Sequence, residues 1–337
     1  MILRKPSCQR LTQRKRVGAI FLGLLLLSVA PEWTEAQSLG QPAAAASDQE
    51  LRDLERRIQK LETRMDQAWR ALRHRGGHGP DTLFTTVRAS RPLDQSVHSL
   101  RMDTNIGNIQ VTRADGAEIT VEAIVRVDKT WLDPEKTGKE FDQHVRMAQT
   151  GDILTIADAH KDAPDHAAWA VALNVAIPRA LPLTAGTGVG DVEIELASGA
   201  VSLSTGAGNA TLKADSLVSV AVSTGAGDAT LRLGKVTEKV EAQTGAGSVS
   251  VELFNPGSHA DVTLTTNAGS LVLKLPPGPI GKFDLEAGMG SISVEGLQGV
   301  QVKKNGMGAS ALAQVGEQGP HYKLHTGVGS ITTSVRK

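Results

Sequence analysis

The stretch Val218-Ser-Val-Ala-Val-Ser-Thr-Gly-Ala-Gly-Asp-Ala-Thr-Leu-Arg-Leu-Gly234 decides how this chain folds. Val218, Val220, Val222 and Thr224 alternate with polar or small residues on one side of a Gly-Ala-Gly step, and Ala229, Leu231 and Leu233 alternate on the other. A period of two marks a strand with one buried face. The stretch is therefore strand, bend, strand.

The pattern recurs. Thr-Gly-apolar-Gly, or a close variant, stands at Thr187–Gly190, Thr205–Gly208, Thr224–Gly227, Thr244–Gly247, Thr266–Gly269, Ala287–Gly290, Asn305–Gly308 and Thr326–Gly329, with an outlying copy at Thr104–Gly107. Successive final glycines in the contiguous set lie 18, 19, 20, 22, 21, 18 and 21 residues apart. A period near 20 residues with small indels signals a repeat architecture in which no unit buries its own apolar face, so the units must stack.

Each column has a physical reading. The first small position holds Gly188, Gly206, Gly225, Gly245, Gly288, Gly306 and Gly327, with Asn105 and Asn267 as the exceptions. Glycine and asparagine tolerate positive φ, so a left-handed bend is expected there. The second is glycine in every copy: Gly107, Gly190, Gly208, Gly227, Gly247, Gly269, Gly290, Gly308 and Gly329. The residue between them is always apolar, which predicts that the bend points it inward. The threonine column shares the parity of the inward apolar residues, and a ladder of hydroxyls is expected inside.

Strands stacked in register about 4.8 Å apart would close the hydrogen bonds and align these columns. The predicted fold is all-β, a parallel β-helix or β-solenoid of about 20-residue units. The alternative is an antiparallel β-sandwich with strands at about ten-residue spacing. Between Gly116 and Pro182 the pattern is less regular: strands are expected at Glu118–Val127, Ile153–Ala157 and Val171–Ile177, and a short helix within Pro134–Gln149.

The N-terminal part differs in kind. Arg4, Lys5, Arg10, Arg14, Lys15 and Arg16 precede an apolar run of 14 residues, Val17–Ala30, and Thr34 and Ala36 fit a small-x-small cleavage site. A spanning helix needs about 20 apolar residues, so residues 1–36 read as a cleaved export signal, with an uncleaved anchor as the alternative. Export places the mature chain in the periplasm, on the outer surface or outside the cell. The only cysteine, Cys8, leaves with the signal, which excludes disulfides and thiol chemistry in the mature chain. Removing those six cations with Glu32 and Glu35 from 36 basic and 36 acidic residues leaves 30 against 34, a net charge of −4 and no nucleic-acid footprint.

After a low-complexity linker at 37–47, Ser47 and Glu50 have the spacing of a capping box. Leu51, Leu54, Ile58, Leu61, Met65, Ala68 and Leu72 follow at gaps of 3 and 4, an a/d seam on a helix over 48–73. The other positions are mostly charged, so the seam is expected to join copies into a homo-oligomer; a single helix lying on the β domain is the alternative. A Gly/His linker at 74–80 ends it, and residues 81–337 form the β domain.

Several groups invite chemistry. Asp158-Ala-His160-Lys-Asp162-Ala-Pro-Asp165-His166 is the densest set of metal-ligand or acid/base types, yet reads more simply as a polar loop. Lys213, Arg232, Glu252, Lys274 and Glu295 share one column and read as a solvated ladder of opposite charges. Asp191 and Asp228 lack the nine-residue period of calcium-binding β-rolls. His74 and His78 flank glycines in a linker. No catalytic residue, metal site or cofactor is assigned.

Val175-Ala-Ile-Pro178-Arg, followed by Thr187-Gly-Val-Gly190-Asp191-Val and further Thr-Gly-x-Gly copies, resembles the bacterial domain family of unknown function known as putative adhesins. The resemblance covers about residues 81–337. Here Ala, Val or Met replaces the family's Ser inside the turn, and only Asp191 and Asp228 keep its Asp. It implies a right-handed β-helix-like domain of envelope proteins with no catalytic site to carry over. A non-enzymatic module that binds an envelope polymer, a surface component or its own copies is expected; a polysaccharide-active β-helix enzyme is the alternative.

Overall fold

The structure is a computed structural model that describes residues 82–128, 141–162, 169–278 and 281–336. The signal (1–36), both linkers (37–47 and 74–80) and the helix at 48–73 with its seam lie outside the described residues.

Strands dominate, as expected of an all-β chain. In order they are β1 (Thr82–Pro92), β2 (Ser99–Ile106), β3 (Ile109–Arg113), β4 (Glu118–Asp128), β5 (Val145–Thr150), β6 (Ile153–Asp158), β7 (Trp169–Ile177), β8 (Leu183–Val189), β9 (Val192–Ile194) and β10 (Ser198–Ala207). There follow β11 (Ala210–Ala226), β12 (Ala229–Ala246), β13 (Val249–Pro256), β14 (Asp261–Ala268), β15 (Leu271–Leu275), β16 (Gly281–Glu295), β17 (Lys303–Asn305), β18 (Gly308–Val315) and β19 (His321–Val335). One helical turn, α1 (Phe141–His144), precedes β5. The helix expected within Pro134–Gln149 is thus cut short: Val145–Thr150 pairs antiparallel with β6 instead.

The repeats pair in parallel and in register. Thr104 faces Thr187, Thr187 faces Thr205, Thr205 faces Thr224, Thr224 faces Thr244, Thr244 faces Thr266 and Thr266 faces Thr326. The copy at Thr104 stands apart in sequence but is the immediate neighbour of Thr187 in space. Beyond the bends, Ile109, Val192, Ala210, Ala229, Val249, Leu271, Ile331 and Ile292 form a second set of partners. Among the described residues, antiparallel pairing is confined to β1–β4, β4–β7, β5–β6, β16–β18 and β17–β18.

These ladders align the core in columns, such as Val201, Val220, Val240, Val262 and Tyr322, all buried. A fully buried Val or Leu contributes about 1.5–3 kcal/mol against an ordering cost of similar size, so stability depends on neighbouring units supporting one another. Val218 departs from the expected inward parity. The register shifts between Leu217 and Ser219, which buries Leu217 and leaves Val218 40% exposed.

Two features depart from the simple repeat. The chain does not fill its rungs in sequence order: β19 lies between β14–β15 on one side and β16 on the other. The copy at Asn305–Gly308 is not a bend between stacked strands. It is the tip of the β17–β18 hairpin, with Asn305 facing Gly308 and Met307 exposed.

Candidate functional site

The bends work differently from the sequence expectation. The positive φ belongs to the second glycine, between +137° and +151° at Gly107, Gly190, Gly208, Gly227, Gly247, Gly269, Gly290 and Gly329. Asn105 and Asn267 keep negative φ, since among the described residues none other than glycine has φ above zero. The first glycine is needed for close approach: a Cβ on Gly225 would lie 2.4 Å from the Gly206 carbonyl oxygen. At Gly227 both constraints act, because φ is +140° and a Cβ would lie 2.1 Å from the Gly208 oxygen. Gly306 is the exception in its column, with φ +62° at the hairpin tip.

The middle residue is not turned inward. Ile106, Val189, Ala207, Ala226, Ala246, Met289 and Val328 are half-buried, and Ala268 and Met307 are exposed. What is buried at the corner is threonine: Thr104, Thr187, Thr205, Thr224, Thr244, Thr266 and Thr326 are at most 6% exposed. They form a ladder of a different kind from the one expected. Thr187 donates to the Gly107 carbonyl (2.8 Å), Thr205 to Gly190 (2.8 Å), Thr244 to Gly227 (2.9 Å), Thr266 to Gly247 (3.0 Å) and Thr326 to Gly269 (3.1 Å). Only Thr224 donates to another threonine hydroxyl, that of Thr244 at 2.8 Å. Thr224 also reaches the Gly227 carbonyl (2.9 Å), so apart from Thr104, which donates to the Val171 carbonyl (2.9 Å), the hydroxyls serve the carbonyl of a second glycine at a corner where the strand ladder is interrupted.

Outside the bend, the residue after the second glycine makes its own ladder. Asn108 Oδ1 accepts the Asp191 N–H (3.0 Å), Asp191 Oδ1 that of Asn209 (2.7 Å), Asn209 Oδ1 that of Asp228 (2.9 Å) and Asp228 Oδ1 that of Ser248 (2.7 Å). Asp191 and Asp228 are therefore rungs of a side-chain-to-backbone ladder. The charged column is reordered by the inserted strand: Lys213, Arg232, Glu252 and Lys274 are neighbours in turn, but Ser334 stands between Lys274 and Glu295. Glu252 lies 3.8 Å from Arg232 and 3.7 Å from Arg336, whose guanidinium sits 3.8 Å from the Phe254 ring centroid. Exposed pairs of this kind contribute about 0–1 kcal/mol each.

The polar loop after β6 does gather a cluster, with a member the sequence did not flag. His144, from α1, is 1% exposed, and its Nδ1 lies 3.0 Å from Nε2 of His160. The His160 ring stacks on Trp169 at a centroid distance of 3.7 Å and 1° between planes, and His144 tilts against the same indole at 5.5 Å. Asp158, nearly buried, accepts the His160 N–H at 2.8 Å. Burial pushes its carboxyl above the ordinary range, against the backbone hydrogen bonds from His160 and Asn105. Lys161 pairs with Asp103. Asp162 is exposed, and Asp165 and His166 lie outside the described residues.

The hydrogen bond between the two imidazoles, whose donor and acceptor are set by the tautomers, holds α1 and the loop together and orients both rings on Trp169. Among the described residues, no group of three or more His, Cys, Asp or Glu is placed to hold a metal ion, and no helix is long and apolar enough to cross a membrane. His144 precedes His160 by 16 residues and is brought to it by the β5–β6 hairpin, a pairing no local motif signals.

No protein-family model and no curated protein matches this sequence. Solved structures do resemble it. A "putative cell adhesion protein" from Clostridium sporogenes covers 74% of this chain and 99% of its own at 13% identity and a TM-score of 0.33. A "putative adhesin" from Bacteroides fragilis covers 74% and 97% at 13% identity and a TM-score of 0.34. A "putative lipid binding protein" from Parabacteroides distasonis covers 74% and 97% at 12% identity and a TM-score of 0.30.

Proposed function

We propose that this chain is a non-enzymatic, exported cell-envelope protein, an adhesin or structural module that presents a repetitive β surface on an oligomeric stalk. The observation that carries this reading is the in-register parallel ladder from β2 through β12 to β19. It supports a parallel β-solenoid, whose right hand is what the family resemblance implies, and in which each outward residue type recurs at about 4.8 Å along a column. Such a surface suits a partner that is itself repetitive, an envelope polymer or a second copy. The basic and apolar N-terminal run supports export to the periplasm, the outer surface or the medium, and the heptad seam supports the stalk.

A glycan array and an envelope-fraction pull-down with residues 37–337 are expected to show binding that weakens when the chain begins at Asp81 and multivalency is lost. A monomeric mass for the longer chain together with no retained partner would overturn the reading. Cleavage of a glycan, lost in Asp158→Asn, would replace it with a polysaccharide-active enzyme.

A further inference from the structure

The inserted strand has a consequence for partnership. β16 pairs with β18 and β19, and β17 pairs with β18, so residues 281–336 contain a four-stranded sheet of their own, ordered β17-β18-β16-β19. Its internal packing includes the Phe283 and Tyr322 rings, stacked at 4.7 Å. This sheet joins the remaining strands through one ladder, that of β19 with β14 and β15.

Among the described residues, the hydrogen bonds and ion pairs that cross this boundary are all made by residues 321–336. They include His321 N–H to the Ala260 carbonyl, Thr326 to Gly269, Ser270 to Ser330, Arg336 to the Leu253 carbonyl, and the His321–Asp261 pair. The covalent link is the stretch Pro276-Pro-Gly-Pro-Ile280, whose three prolines restrict how it can bend.

We infer that residues 281–336 are an exchangeable terminal sheet that pairs, through β19, with β14 and β15 of a second copy of this chain. The contacts broken within one chain are the contacts remade between two, in the same register. The balance between the two arrangements is then set by the concentration of copies. The partner is a second copy because the β14–β15 edge carries the register of this chain's own repeat: Leu264 and Leu273 meet Leu324 and Thr333 there.

The test uses the full chain with Cys8→Ser and two single-cysteine variants, Thr265→Cys and His325→Cys, which replace outward register partners on β14 and β19. Cα atoms this close lie within the range a disulfide bridges. When the two variants are co-expressed and oxidised, a covalent heterodimer is expected. Ser202→Cys, on β10, paired with His325→Cys is expected to give none.

No heterodimer from the first mixture, with the doubly substituted single chain closing its own disulfide, would overturn exchange. Absence of any disulfide in that doubly substituted chain, within one copy or between two, would overturn the placement of β19 itself. Equal linking in the Ser202→Cys mixture would show collision alone and would also overturn the inference. Loss of the stalk on starting the chain at Asp81 leaves these outcomes unchanged, so failure of the stalk and failure of exchange are distinguishable.

Discussion

The corner at Thr224–Gly227 and the hairpin tip at Asn305–Gly308 share one sequence motif and differ in almost every structural respect. At the corner, Thr224 is buried, Gly227 has φ +140°, and parallel neighbours stand on both sides. At the tip, Asn305 is exposed, the positive φ moves to Gly306 at +62°, and the two flanking strands pair antiparallel with each other. The residues before the motif account for the difference. Val220 and Val222 supply an inward apolar pair ahead of Thr224, whereas Gln301 and Lys303 occupy the matching places ahead of Asn305. A Gly-x-Gly step makes a stacked corner only where the strand entering it has a face to bury.

Substitutions at the two glycines should separate the regions most. Gly227→Ala meets both a disfavoured φ and the Gly208 carbonyl oxygen at 2.1 Å. It is expected to cost about 3 kcal/mol or more in chemical unfolding. Gly306→Ala has no atom within 4 Å of the new Cβ and is expected to cost about 1 kcal/mol. Equal costs would break the distinction.

Next comes the residue that opens each motif. Thr244→Val removes the hydroxyl that donates to Gly227 and accepts from Thr224, a loss of about 2 kcal/mol by unfolding midpoint. Asn305→Ala, at an exposed position, should stay within about 0.5 kcal/mol. A smaller effect of opposite sign is expected after the bends. The Thr333 hydroxyl is buried with no hydrogen-bond partner among the described residues, so Thr333→Val should raise stability by about 1 kcal/mol. Smallest of all, Met307→Ser at the hairpin tip should change stability by less than about 0.5 kcal/mol.

Much of this was legible in the sequence. The alternation around Thr224, the period near 20 residues and the aligned threonine and glycine columns all follow from counting positions, and the parallel registers match those columns. The choice between the two glycines was also available. Asn replaces the first at 105 and 267, but nothing replaces the second, which marks the second as the more constrained position. The polar residues Gln301 and Lys303 likewise distinguish the copy at Asn305–Gly308.

The order of rungs was not legible, because every unit presents the same register. Nothing local states that β19 should precede β16 in the stack. The cluster around His160 was half visible: its loop residues are adjacent in sequence, but His144 and Trp169 arrive from α1 and β7 through pairings that form only in the folded chain.

The most direct test of the stack is a set of spin-label distances from Ser204 on β10 to Thr265, His325 and Glu286, which occupy one outward column three, four and five strands away. In-register parallel stacking with β19 inserted predicts backbone separations of about 14, 19 and 24 Å. Separations that fail to increase in that order, or Glu286 lying nearer to Ser204 than His325 does, would contradict the stack and the insertion on which it ends.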